Sequence, residues 1–405
     1  MNENSNGTLE NVILEVDFNL NNKKVQIMNV SGKFKCKNIR ITYMENMPEI
    51  KNINGNARIE NSRVIFDVES GNSKNLEVIS GNIDLYNLDT DFEKAKIDLN
   101  IVSENNYVVD YLKLTEIDQD NYNKLNDILG NVDLNLKLNF PLLVDLKAEE
   151  INYSANAKIK DGNYKLFDNQ HELEDLDIEI KVNPDLVNFF GEGYLLDSKV
   201  EFTGNQIVRD NDIVDEIEGK FQLESKQLKK FLPHEIVEES SGILPINFSY
   251  VKGKDNFKFE GVGETEQLTL LSKFLGNDLN FSNGKLRFVI SPYGENISGF
   301  LDIKIKNIDI EINSILSDFE LQNLEILKFK SPNQDFSLSM KKQDFTKINI
   351  NGNKISIPTI KLGENSRFSN FDNVQFNMNL SEIIIGMSKF YNPDVNFKKN
   401  EGKFV

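Results

Sequence analysis

The residues that could do chemistry are two histidines, one cysteine and a large stock of carboxylates in a chain of 405 residues. His171 lies in DNQHELED and His234 in LPHEI. A zinc-protease helix places a second imidazole four residues after the first so that both share one helix face, and His171-Glu172-Leu173-Glu174 does not continue to one. Both histidines suit polar, solvent-exposed positions better than that of a general base. Cys36, in KFKCKNI, shares an extended face with Phe34 and reads as a packed strand thiol. A single cysteine can form no internal disulfide, CxxC pair or thiolate zinc cluster. DQDNYN from Asp118 begins like a calcium loop, but Asn123 stands at the sixth position in place of glycine and Leu129 at the twelfth in place of an acid. Gly191-x-Gly193 and Gly261-x-Gly263 lack the third glycine of a dinucleotide loop and open no helix, so each reads as a bend in a strand. There is no GxSxG elbow and no Walker A loop. Paired carboxylates are too common among 64 acidic residues to single out a glycosidase, and the absence of tryptophan removes the usual stacking platform for sugars. The expectation is a non-enzymatic protein with no cofactor and no metal.

Charge narrows the partners. Lys and Arg number 46 against 64 Asp and Glu, a net charge of −18 spread along the chain, which disfavours nucleic acid and electrostatic docking on anionic headgroups. The start, MNENSNGTLENV, has neither the basic nor the apolar region of a signal peptide, and no run approaches the 18 or so apolar residues of a membrane-spanning helix. The Asn-, Lys- and Ile-rich composition reads as the mark of an AT-rich genome.

The elements around these residues are strands. In GNVDLNLKLNF (130–140), Val132, Leu134, Leu136, Leu138 and Phe140 point one way, and Asp133, Asn135, Lys137 and Asn139 the other. A period of two over nine residues predicts a long strand with one dry and one wet face. The pattern recurs in Val12 to Leu20, in Val64, Phe66 and Val68, in Ile97, Leu99 and Ile101, in Ile151 to Ile159, in Ile178, Ile180 and Val182, and in Val374 to Leu380. Apolar positions also fall two, four and six residues after a glycine: Ala57 and Ile59 after Gly55, Ile83 and Leu85 after Gly81, Val132 to Leu136 after Gly130, and Leu286, Phe288 and Ile290 after Gly284. This phasing predicts turn glycines with positive φ that set the register of each strand. Helical spacing is expected at 104–128, 225–237 and 265–275, as crossovers between strand blocks. The polar stretch 205–219 is the best candidate boundary, dividing the chain into segments 1–215 and 216–405. The fold class is mostly β: an extended, curled antiparallel sheet with a few short crossover helices.

Two structures satisfy this alternation. A second sheet about 10 Å away would seal the dry face as a sandwich, and an uncovered face would line an open apolar groove. From periodicity the sandwich is favoured. The segment NIRITYMENMPEIKNINGNARIENSRVIFDVESGNSKNLEVISGNIDLYNL (38–88), the block from Gly130 to Phe202 and LTLLSKFLGNDLNFSNGKLRF (268–288) resemble the AsmA-like superfamily, especially its YhdP-like envelope proteins, in their P-x-I-x-x-I-x-G-x-A, G-x-I-x-L and LL-x-x-LG steps. The resemblance runs from about Asn38 to about Ile360. It implies a β-groove that conducts phospholipid acyl chains between the membranes of a Gram-negative envelope, a periplasmic location, an inner-membrane anchor that is not evident in this chain, and envelope proteins at either end. The lining expected on this basis is Ala57, Ile59, Val64, Phe66, Val68, Ile83, Leu85, Ile97, Leu99, Val132, Leu134, Leu136, Leu138, Ile178, Ile180, Leu286, Phe288 and Ile290, with a covering helix that carries Leu270, Leu271 and Phe274. The alternative is a β-sandwich scaffold or protein-binding protein of the envelope.

Overall fold

The computed structural model describes residues 5–21, 24–42, 47–114, 128–143, 146, 147, 150–165, 172–184, 186–209, 212–227, 239–253, 256–272, 277–280, 284–317, 320–343, 345–357, 373–400, 403 and 404. Strand makes up about 81 % of the structure and helix about 4 %, in a mixed sheet that is not closed into a barrel. Two compact units are distinguished: Met1–Leu195 with Asn205–Ile207, and Leu196–Gly204 with Val208–Val405. The stretch expected as a linker is largely strand, in β11 (Ser198–Arg209) and β12 (Asp212–Glu224).

In the first unit the strands are β1 (Ser5–Asn21), β2 (Lys24–Ile41), β3 (Ile50–Glu60), β4 (Arg63–Ser73), β5 (Leu76–Tyr86), β6 (Lys94–Glu104), β7 (Ile128–Pro141), β8 (Asn152–Lys165), β9 (Glu172–Asn183) and β10 (Leu186–Leu195). Each pairs antiparallel with the next in sequence. Tight turns make this meander possible, as at Asn61, which takes φ 53° between β3 and β4, a left-handed conformation that asparagine tolerates. The helix α1 (Asn105–Leu112) sits between β6 and β7, which are direct neighbours. It is therefore an insert in a hairpin connection, and the expected crossover is not found there.

The second unit continues with β13 (Glu239–Lys252), β14 (Phe257–Glu264), β15 (Leu268–Ser272), β16 (Asn277–Asn280), β17 (Lys285–Tyr293), β18 (Asn296–Ile305), β19 (Ile308–Ser317), β20 (Glu320–Lys330), β21 (Asp335–Lys341), β22 (Thr346–Ile357), β23 (Val374–Ile385), β24 (Ser388–Tyr391), β25 (Asp394–Asn400) and β26 (Lys403–Phe404). The order β12, β13, β14, β17, β18, β19, β20, β21, β22, β23, β25, β26 is antiparallel except for the parallel β22–β23 pair. The helix expected over 265–275 is not formed. Leu270 and Leu271 lie in β15, which pairs with the start of β13 and with β16, while Phe274 falls outside the described residues. The i, i+3, i+4 spacing there was satisfied by a short run of leucines that a strand accommodates equally well. Of the segment 225–237 only a short helical turn at 225–227 is described, and of 104–128 the helix covers 105–112.

The expectation of positive-φ glycines holds in part: Gly130 takes φ 150° near the start of β7 and Gly242 φ 93° near the start of β13, whereas other phased glycines differ. Gly55, Gly81, Gly162 and Gly299 lie inside strands and have no positive φ. Gly55 adjoins a register shift of β3 and Gly162 lies between two of β8. A Cβ on Gly55 would stand 2.2 Å from the carbonyl oxygen of Asp67. Gly55, Gly81 and Gly162 let neighbouring backbones approach where the strands bulge and bend, a role that keeps the observed phase without a turn, and a Cβ on Gly299 would meet only the Ser314 hydroxyl. Asn38, Asn52, Asp161 and Asp175 take φ between 48° and 54° at further irregularities of β2, β3, β8 and β9.

Candidate functional site

The wet face is tied by polar side chains from strand to strand. Asp67 pairs with Arg58 at 3.0 Å and accepts from Asn82 at 2.8 Å, and Asn135 donates to Asp98 at 2.8 Å and Asn100 at 3.0 Å. Arg63 donates through Nε and a terminal nitrogen to the two oxygens of Asp84 at 2.7 and 2.6 Å. These charge-assisted bonds hold the Asp84 carboxyl below its usual pKa against the opposing effect of burial. Such pairs fix orientation and register. They converge on no cleft, and among the described residues no group of three or more His, Cys, Asp or Glu side chains could hold a metal ion. His171, His234 and the Asp118 run lie outside the described residues. Cys36 is buried in β2, where burial pushes its thiol pKa up, as befits a packed side chain.

On the dry face of the first unit, apolar side chains stand opposite one another in unbroken rows. One row runs Phe34, Ala57, Phe66, Ile83, Ile97, Leu138, Tyr153 across β2 to β8, each residue facing the next. A second runs Val68, Gly81, Leu99, Leu136, Ala155, Val182, and a third Ile101, Leu134, Ala157, Ile180, Phe189. Ile59, Val64 and Leu85 form a fourth, and Val132, Ile159 and Ile178 a fifth. The expected lining residues of the first unit therefore share one face.

Their burial differs along that face. Ala57, Val68, Val132 and Ile178 are buried, whereas Ile59, Val64, Phe66, Ile83, Leu85, Ile97, Leu99, Leu134, Leu136, Leu138 and Ile180 are only half-buried. The buried cluster of Ile53, Val68, Leu76, Val78 and Ile101 is packed by side chains of β2 to β7 and by Tyr107, Val108 and Tyr111 of α1. Asn105 anchors that helix by donating to the carbonyl of Ile128 at 2.7 Å. One short helix thus covers part of the face, and within the unit no second sheet is packed on this cluster among the described residues. Side chains at the centre of a sealed sandwich would be fully buried. Here Leu136 and Leu138 lie between wet and dry.

The second unit repeats the design with larger groups. Gly219, Phe248, Gly261, Phe288, Leu301, Ile312, Ile326, Leu338, Ile350 and Met378 face one another in sequence across β12 to β23. Ring centroids are 6.2 Å apart for Phe221–Phe248, 5.7 Å for Phe248–Phe259 and 5.4 Å for Phe259–Phe288, all tilted. Leu286, Phe288 and Ile290 are half-buried in this face. Here the cluster of Phe336, Ile355, Leu380 and Ile383 draws its partners from β20 to β23 alone among the described residues. The expected lining left out Phe221, Phe248 and Phe259, although Phe248 and Phe259 fall in alternating runs of the sequence. The signal was present, since Phe248 alternates with Ile246 and Leu244. No family model, curated protein or solved structure matches the chain. Among the described residues, no helix is long and apolar enough to cross a membrane, which leaves strand-built spans untouched.

Proposed function

We propose that the open apolar faces hold the acyl chains of phospholipids and let them move along the strand rows, in transport between the membranes of a Gram-negative envelope. The observation that carries this reading is the set of continuous apolar rows, most of whose side chains are only half-buried, on a face over whose buried cluster no second sheet is packed among the described residues. Acyl chains leaving water gain about 25 cal/mol per Å² of apolar area. No directional bond pins them to an aliphatic lining, so they are held and yet slide. The polar stitching of the wet face keeps the sheet in register while its other face stays uncommitted. The reading needs no catalytic group, and it places the chain in the periplasm.

Native mass spectrometry with lipid extraction, on the chain purified from a Gram-negative host, tests it. Phospholipid should co-purify with the wild-type chain and be lost from Leu136→Asp, whose circular dichroism stays that of the wild type. A folded wild-type chain free of lipid overturns the reading and leaves a protein partner as the cover of the face.

A further inference from the structure

The hairpin of β1 and β2 extends past the rest of its unit. Pairing of β2 with β3 ends at Ser31, so among the described residues Lys24–Asn29 of β2 pair with β1 alone. Six residues of strand reach about 20 Å. On one face of this arm Val16 stands opposite Val30, Phe18 opposite Ile27 and Leu20 opposite Val25. Val16, Phe18, Leu20, Val25 and Ile27 are between 41 % and 66 % exposed. The other face is polar, with Asp17 opposite Asn29 and Asn19 opposite Gln26. An apolar two-stranded face of this kind is at best marginally stable in water, so something covers it.

Two observations select the cover. The apolar row of the arm runs on into the dry face of the unit: a Cβ on Gly32 would touch Leu14 at 3.2 Å on one side and Ile59 at 3.7 Å on the other. The arm is also electrically neutral in a chain of net charge −18, since residues 13–30 contain Glu15 and Asp17 against Lys23 and Lys24. A second copy joined edge to edge through β1 would bring Glu15 and Asp17 near the same acids, with no Lys or Arg on that strand to offset them. A bilayer requires no edge pairing. Side chains dip below the headgroups while the unpaired backbone edge stays at the wet level, because hydrocarbon does not tolerate open strand edges. We infer that the apolar face of the β1–β2 arm docks on a phospholipid bilayer and joins it to the acyl-chain face at Gly32. This rests on the lipid-carrying reading above and adds to it the place where lipid enters or leaves.

The test is flotation of the full chain with vesicles of phosphatidylcholine and phosphatidylethanolamine. The wild type should float, and Phe18→Asp combined with Leu20→Asp should lower the bound fraction by about tenfold or more. Both positions are exposed, so the variant keeps its fold and, in native mass spectrometry, the lipid already bound along the rows. Leu136→Asp should do the reverse, floating without carried lipid. A wild type that does not float, a double variant that floats equally well, or a wild-type dimer by light scattering that the double variant turns into a monomer, each overturns the arm proposal. Failure of the acyl-chain reading would instead appear as a lipid-free chain whatever the state of the arm.

Discussion

Across β4 to β7 the dry face is filled by Phe66, Ile83, Ile97 and Leu138, one mid-sized side chain per strand, whereas across β12 to β17 rings and glycines alternate as Gly219, Phe248, Gly261 and Phe288. The two units cover the same kind of surface by different means. In the first, Gly55 makes room for backbone: its missing Cβ would meet the main chain of Asp67. In the second, Gly219 and Gly261 make room for rings, and a Cβ on Gly261 would stand 2.2 Å from the tip of Phe288. An aliphatic face bends by bringing strands together, and an aromatic one gains area by laying rings over gaps. On the proposed lipid-carrying reading, the first would suit chains that slide, and the second would offer edges and faces that hold them more firmly.

The largest expected effect tests the openness that both faces share. Val132→Asp buries a carboxylate at a site only 2 % exposed. It should lower unfolding free energy by about 4 kcal/mol, whereas Leu136→Asp, half-buried, should cost about 1 kcal/mol. Equal shifts of the urea midpoint in the two variants would mean that the face is sealed. Next come the glycines. Gly55→Ala must move backbone and should cost about 3 kcal/mol, and Gly261→Ala, where a ring can turn aside, about 1 kcal/mol. A reversed order in thermal denaturation would break the distinction drawn between the units. A double-mutant cycle on Phe248→Leu and Phe259→Leu should return a coupling of about 0.5–1 kcal/mol from their tilted contact. The same cycle on Ile83 and Ile97 of the first unit, each truncated to Ala, should return less. The smallest effect concerns pH. Asp84 has its pKa depressed by Arg63, so its contribution is complete above the ordinary carboxylate range of about 4 and is lost as pH falls through the lower folded value. Asp84→Asn should flatten the fall in stability on acidification in that window, and an unchanged pH profile would show that the pair is not coupled to folding.

Much of the first unit was legible because alternation is a local property. The face assignment of Val132 to Leu138, and of Asp133 to Asn139 opposite, follows from the pleat once the segment is a strand. The glycine phase was legible but its cause was not. Whether Gly55 turns the chain or lets Asp67 approach depends on residues brought together only by pairing. The asparagines at positive φ, such as Asn38 and Asn52, are visible as breaks in the alternation of KCKNIRI and IKNINGN, yet a compositional bias toward Asn masks them. The expected helix around Leu270 and Leu271 failed because a short leucine run satisfies both periods, and the pairing with β13 and β16 decides between them.

The sequence by itself determined that the chain is mostly β, which side chains share a face, and that the face is apolar along its length, because these follow from a period of two and from side-chain chemistry. Only the tertiary structure decided that, among the described residues, no second sheet is packed on the buried cluster of the first unit, that α1 covers one part of that face and that the end of the β1–β2 arm pairs with no third strand. Alternation records which way a side chain points. What lies above it is set by long-range pairing and curvature, and a two-residue period is the same for a sealed face and an open one.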